Sequence, residues 1–273
     1  MTSVFKSAEG RDKIRAYYNQ ILSHFPFAQR IEKTSYGQTF LLEAGSAQNP
    51  AVILLHGSCS NTAIWLGDIP VLAQRFHVFA ADLPGEAGNS EDIRPDLGDY
   101  PKWLNELLDA LQLDKAIIIG HSMGGWLALH FAAAYPARAA RLVLFAPSGL
   151  IEADQSFLKA SIESVNGGDS DALGDMMIGD NVPKPVRDFL TLIMENFNPV
   201  TGALPVLTDD QIRALTMPVL MLAGEKDVTM DPMKAAERLK QFVPKAATKI
   251  IENAAHVITG TMDTVMPFLL EKI

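Results

Sequence analysis

Ala116-Ile117-Ile118-Ile119-Gly120-His121-Ser122-Met123-Gly124-Gly125-Trp126-Leu127-Ala128-Leu129-His130-Phe131 changes character in its middle, and that change decides the fold. Four aliphatic residues in a row predict a strand buried on both faces, and the apolar stretch from Trp126 onward predicts a helix. Between them, Gly120-x-Ser122-x-Gly124 predicts a sharp strand-to-helix turn. In such a turn the serine adopts a strained backbone conformation and exposes its Oγ at the edge of a sheet. A Cβ at position 120 or 124 would crowd the packing of helix on strand, so glycine at both is a steric requirement of the turn.

Outward from this stretch, aliphatic runs recur at intervals filled by helix-like segments. Ala51-Val52-Ile53-Leu54-Leu55 and Val78-Phe79-Ala80-Ala81 precede it. Leu142-Val143-Leu144-Phe145, Val219-Leu220-Met221-Leu222-Ala223 and Thr248-Lys249-Ile250-Ile251 follow it. Such runs separated by helices predict a mostly parallel α/β sheet covered on both faces. Upstream, residues 30–34 and 38–43 flank Ser35-Tyr36-Gly37 and predict a β-hairpin. Ile14, Tyr17, Tyr18, Ile21 and Leu22 sit at helical spacing and predict an amphipathic helix on the outside of the domain, its aromatics contacting the core.

The stretch 148–216 interrupts this alternation. It holds Gly167-Gly168, Gly174, Gly179, Pro183, Pro185, Pro199 and Pro205 among apolar clusters such as Phe157-Leu158, Met176-Met177-Ile178 and Phe189-Leu190. A segment of this length between two core strands is too long for a structureless loop. It is expected to form short helices capping the carboxyl ends of the strands, where open α/β sheets bind ligands. The expected organisation is a core of residues 1–147 and 217–273 with a helical cap of residues 148–216.

A serine hydroxyl becomes a nucleophile only when a positioned base takes its proton, and the base needs a group to orient it. Asp227 closes Gly224-Glu225-Lys226-Asp227 just beyond one strand, and His256 lies in Asn253-Ala254-Ala255-His256-Val257 just beyond the last. Both are thus expected at the same sheet edge as Ser122, in the order serine, acid, histidine. Asp231 precedes Pro232 and reads as a helix cap, which leaves Asp227 as the better orienter. The loop His56-Gly57-Ser58-Cys59-Ser60 follows the first long strand. It should supply one backbone N–H to the negative charge that develops on an attacked carbonyl, from Ser58 in preference to Cys59, with the N–H of Met123 as the other. His56 reads as a brace of that loop. Asp82, in Asp82-Leu83-Pro84-Gly85-Glu86-Ala87-Gly88, reads as a brace of neighbouring loops through backbone N–H groups. Cys59, His121 and Val257 flank these groups and are the expected substrate contacts.

Composition narrows the classes. Of 273 residues, 48% are hydrophobic and 20% charged, and no apolar run approaches the roughly 20 residues of a membrane span. A net charge of −9 without long basic stretches argues against nucleic acid and anionic membranes as partners. Cys59 is the sole cysteine, so neither an intrachain disulfide nor a cysteine-based metal cluster is expected. Histidine spacing suggests no metal either. The opening residues lack the apolar core of a secretory signal, which sets the expected location as cytoplasmic.

Taken together, the Gly-x-Ser-x-Gly turn, the His-Gly loop, the Asp-x-Pro-Gly loop, Gly-Glu-Lys-Asp227 and Ala-His256 resemble the α/β-hydrolase superfamily over residues 51–273. Tyr17-Tyr18-Asn19, Phe25-Pro26 and Ser35-Tyr36-Gly37-Gln38-Thr39 further resemble small bacterial carboxylesterases that hydrolyse arylpropionate esters. The resemblance implies a serine carboxylesterase with Ser122, Asp227 and His256 as its catalytic residues, taking a small-molecule ester without a cofactor, as a monomer or homodimer. Carbon–carbon bond hydrolases, perhydrolases, lactonases and acyltransferases share the same residues. A non-catalytic small-molecule receptor is the alternative of a different class.

Overall fold

The computed structural model of the protein describes residues 3–165, 174, 177 and 184–271. Of the expectations above, those on Gly167-Gly168, Gly179, Pro183, Met176 and Ile178 lie outside the described residues.

Helix α1 (Ala8–Leu22) is capped by Ser7, whose hydroxyl accepts from the Gly10 N–H. Strands β1 (Ala28–Thr34) and β2 (Gly37–Ala44) form the expected antiparallel hairpin. The chain then runs through β3 (Ala51–Leu55), the short helix α2 (Ile69–Leu72), β4 (His77–Ala81), α3 (Tyr100–Ala110), β5 (Ala116–His121), α4 (Met123–Ala134) and β6 (Ala139–Phe145). Helices α5 (Gln155–Val165), α6 (Lys184–Asn196) and α7 (Asp209–Arg213) lie in the segment between β6 and β7 (Val219–Gly224). Then come α8 (Pro232–Phe242), β8 (Ala247–Ile251) and α9 (Met262–Leu270).

Among the described residues the strands build one eight-stranded sheet in the order β1-β2-β4-β3-β5-β6-β7-β8. It is antiparallel from β1 to β4 and parallel from β4 to β8, which is the α/β-hydrolase arrangement that the resemblance implied. Its inner parallel strands are dry on both sides, whereas the edge strand β8 is partly exposed. On β3, Val52 and Leu54 enter the core under α1, α2, α6 and α9, while Ala51, Ile53 and Leu55 enter the core under α3, α4 and α8. Ile117 and Ile119 divide from Ala116 and Ile118 in the same way on β5. This period-two division over continuously aliphatic runs explains why they read as doubly buried strands. Each fully buried aliphatic side chain is worth roughly 1.5–3 kcal/mol of apolar transfer.

The sheet order reverses at β3, which has β4 on one side and β5 on the other. Chains leaving β3 and β5 at their carboxyl ends diverge to opposite faces and open a crevice between them. That crevice lies between the loop after Leu55 and the turn after His121.

Helix α1 is not merely an outer layer. Ile14 and Tyr18 are fully buried, and Phe189 of α6 stacks on Tyr17 at 5.1 Å and on Tyr18 at 6.3 Å. Gly10 permits the approach, since a Cβ there would stand 2.5 Å from Asn196 Oδ1. Apolar spacing identified the helix, but its second partner lies far along the chain and leaves no local trace. No described helix is long and apolar enough to cross a membrane.

Candidate active site

Ser122 stands between β5 and α4 at φ 53°, ψ −113°, a conformation that costs a residue with a Cβ of order 1–3 kcal/mol. Its surroundings enforce it. The Ser122 N–H donates to the Phe145 carbonyl at 2.9 Å, and its own carbonyl accepts from Trp126 N–H at 2.9 Å. A Cβ on Gly120 would lie 2.3 Å from the Gly124 carbonyl oxygen, and one on Gly124 would lie 2.2 Å from that of Leu55. Both expected glycine requirements are therefore met by backbone atoms that cannot swing aside. The Met123 N–H, first of the helix, has no acceptor among the described residues.

The loop after β3 packs directly on this turn. A Cβ on Gly57 would stand 3.2 Å from Ser122 Cβ and 3.1 Å from His121 Nδ1. Beyond it, Cys59 adopts φ 54° and donates its N–H to Glu86 Oε2 at 2.8 Å. The Ser58 N–H has no acceptor among the described residues, so the two neighbouring amides differ: one is committed, the other free. His56 braces the loop as expected. Its Nδ1–H donates to the Gly57 carbonyl at 2.7 Å, and its Nε2 accepts from Leu83 N–H at 2.9 Å. A carbonyl can only accept and an N–H only donate, so these partners require the neutral ring. Burial pulls its pKa down to about 4.

Asp227 and His256 meet across the ends of β7 and β8. His256 Nδ1–H donates to Asp227 Oδ2 at 2.9 Å, with both side chains essentially inaccessible to solvent. Thr229 supplies two more hydrogen bonds to the same carboxylate, from its N–H at 2.8 Å and its hydroxyl at 2.7 Å, both to Oδ1. The Thr229 oxygen also lies 3.1 Å from His256 Nδ1. Burial alone would push the Asp227 carboxyl up. The hydrogen bond and charge of His256, with the two bonds from Thr229, outweigh burial and hold it below the ordinary carboxylate range. His256 Nε2 is buried without a hydrogen-bond partner, Ser122 Oγ included. Such contacts commonly tighten only when a substrate is bound.

His121 sits against His256, ring centroids 4.9 Å apart, and donates Nε2–H to the His256 carbonyl at 3.2 Å. Burial, and next the proximity of His256, pull its pKa down to about 3. The Val257 N–H donates to the Met177 carbonyl at 3.1 Å, which ties the segment between β6 and β7 to the histidine loop. Cys59 is half-buried beside the core that includes Trp65 and Phe145. Burial pushes its thiol up to about 12. Asp231 caps α8, accepting from the N–H groups of Met233 and Lys234 at 3.1 Å. Asp82 accepts from Thr62 N–H and Asn89 N–H, each at 2.8 Å, and from the Tyr18 hydroxyl at 3.0 Å.

Thr229 is a site residue that the sequence reading did not single out, and Glu86, which stands in the turn after Pro84-Gly85, is one to which it gave no role at the site. A hydroxyl two positions after the acid was a usable signal for Thr229, because that spacing suits an Asx turn. Among the described residues, no group of three or more His, Cys, Asp or Glu side chains could hold a metal ion.

A family model of the alpha/beta hydrolase fold matches residues 50–176. The chain is 30% identical over 267 residues to the Bacillus subtilis (strain 168) protein named "Uncharacterized carboxylesterase nap", covering 92% of this chain and 89% of that one. The crystal structure of naproxen esterase (carboxylesterase NP) from Bacillus subtilis superposes with a TM-score of 0.85 at 26% identity, over 97% of this chain and 99% of that one. Carboxylesterase CesB (YbfK) from Bacillus subtilis superposes with a TM-score of 0.87 at 24% identity, over 97% of this chain and all of that one.

Proposed function

The chain belongs to the α/β-hydrolase family, and from that premise we propose that it is a serine carboxylesterase that cleaves small to medium carboxylic esters through an acyl-enzyme. The observation that carries the reading is the buried Asp227–His256 pair, set at the same sheet edge as a serine held in a strained turn beside two uncommitted amide N–H groups. A small-molecule receptor has no use for that combination.

Ser122 Oγ attacks the ester carbonyl while His256 Nε2 takes its proton. Asp227 holds the ring with Nδ1 protonated and stabilises its charged form. The carbonyl oxygen, now negative, receives the N–H groups of Ser58 and Met123, donors that need no reorganisation as charge develops. Collapse expels the alcohol, to which His256 returns the proton. Water then attacks the acyl-serine by the same route, and the carboxylic acid leaves. Residues 148–216 form the cap over this site and residues 1–147 and 217–273 the catalytic core. Cys59, His121 and Val257 contact the substrate. The carboxylesterase names of the relatives support the ester as the bond broken.

A chromogenic aryl ester, followed by rapid mixing, should release about one equivalent of phenol in a burst ahead of the steady state. No turnover of any aryl or alkyl ester by folded protein overturns the reading.

A further inference from the structure

Glu86 is a carboxylate in an unusual place. Its side chain is wholly buried, it takes no part in the chemistry above, and it reaches under the loop that follows β3. Oε2 accepts from Cys59 N–H at 2.8 Å and lies 3.5 Å from the Ser58 hydroxyl. Oε1 makes no hydrogen bond but lies 3.5 Å from Arg94 Nη2. Arg94 is itself fixed, since its Nη2 donates to the Asn198 carbonyl at 2.9 Å and its guanidinium lies over the Phe197 ring at 5.6 Å.

We propose that Glu86, anchored by Arg94, is the positioning residue of the oxyanion site: by gripping the Cys59 N–H it turns the Ser58 N–H toward the reacting carbonyl. This rests on the esterase reading above. Three observations carry it. Cys59 has a left-handed backbone that a side-chain-bearing residue keeps only when its neighbours dictate it. The sole hydrogen bond from its amide goes to Glu86. The preceding amide, one peptide away, is free. The two peptides meet at Ser58 Cα and can turn only about its φ and ψ, so holding the plane of the Ser58–Cys59 peptide through the Cys59 N–H restricts the Ser58 ψ and narrows the directions open to the Ser58 amide. Burial pushes the Glu86 carboxyl up to about 7, against the opposing pull of Arg94 and the Cys59 amide, so the pairing compensates a real desolvation cost.

Two variants separate reach from charge. Glu86→Gln keeps an oxygen at full reach without the charge. Glu86→Asp keeps the charge but is one methylene too short. In Glu86→Asp, kcat should fall roughly 10–100-fold with KM within about threefold, since losing an oxyanion donor outright costs about 10²–10³. Affinity for an alkyl boronic acid, which mimics the tetrahedral state, should fall by the same factor while affinity for the product acid does not. Glu86→Gln should retain kcat within about threefold and restore boronate affinity. Overturning results are wild-type kcat in folded Glu86→Asp, the reverse ranking of the two variants, or parallel losses in boronate and product affinity. Stoichiometric labelling of Ser122 by a fluorophosphonate in wild type and both variants keeps the two ideas apart: without wild-type labelling the esterase reading itself fails, whatever Glu86 does.

Discussion

Asp227 and Asp231 are four residues apart and bond to different things. Asp227 is buried and tied to His256, whereas Asp231 holds the first turn of α8 through two backbone N–H groups. Asp227→Asn should therefore lower kcat roughly 10³–10⁴-fold, because the imidazole loses the partner that fixes its tautomer. Asp231→Asn should leave kcat within about twofold and cost only a few tenths of a kcal/mol, since asparagine caps nearly as well. Ser122→Ala should remove turnover by roughly a thousandfold or more while the protein stays folded. Steady-state kinetics on the three variants checks the ranking, and equal losses at 227 and 231 would show that the acid is misassigned. Asp227 and His256 were legible because each follows the carboxyl end of a strand of the parallel sheet, the buried β7 and the partly exposed edge strand β8, so the topology alone placed them at one edge. Glu86 was not legible, because its meaning depends on which backbone amide it meets across a tertiary contact.

At the scale of elements, the turn between β5 and α4 is a contact between backbones, and side-chain chemistry has little room to adjust it. Ala at position 124 would put Cβ 2.2 Å from the Leu55 carbonyl oxygen, across the β3–α4 contact. Gly124→Ala should cost roughly 3 kcal/mol or more, read from urea unfolding. Gly98→Ala is the control, because nothing lies within 4 Å of its position; it should be neutral or stabilising by up to about 1 kcal/mol. Equal stability of the two would mean that helix and strand separate more easily than their packing suggests. All six expected core strands formed over nearly the expected residues, because period and length are written locally in aliphatic runs. The reach of α6 onto α1 was not, because stacking of Phe189 on Tyr17 and Tyr18 joins residues that share no sequence pattern.

For the molecule as a whole, buried titratable groups of opposite kinds oppose one another in acid. His56 and His121 stay neutral in the fold, with pKa values pulled to about 4 and about 3. Their contribution is complete above the unfolded value near 6.5 and is lost as pH falls through that value toward 4 and 3. Asp82 and Glu86, pushed by burial to about 6 and about 7, hold their protons in the fold and so add stability as pH falls from there toward 4. The overall curve is accordingly muted, and a variant comparison isolates one group. Relative to His121→Gln, the wild type should lose about 1.4 kcal/mol per pH unit below about 6.5, as measured by denaturant unfolding at a series of pH values. A pH-independent difference would mean that His121, despite His256, Asp227 and His56 around it, titrates alike in both states. The pairing of Phe5 with Phe197 bears on how such a chain is made. Phe5 leaves the ribosome roughly 190 residues ahead of its partner, and at about 5–20 residues per second it waits on the order of 10–40 seconds. For that interval Phe5 belongs to a nascent chain that still lacks the ring it packs against, although α1 can already meet Phe40, Thr62 and Asp82, which makes this short stretch late to be seated and the natural place for a chaperone to hold.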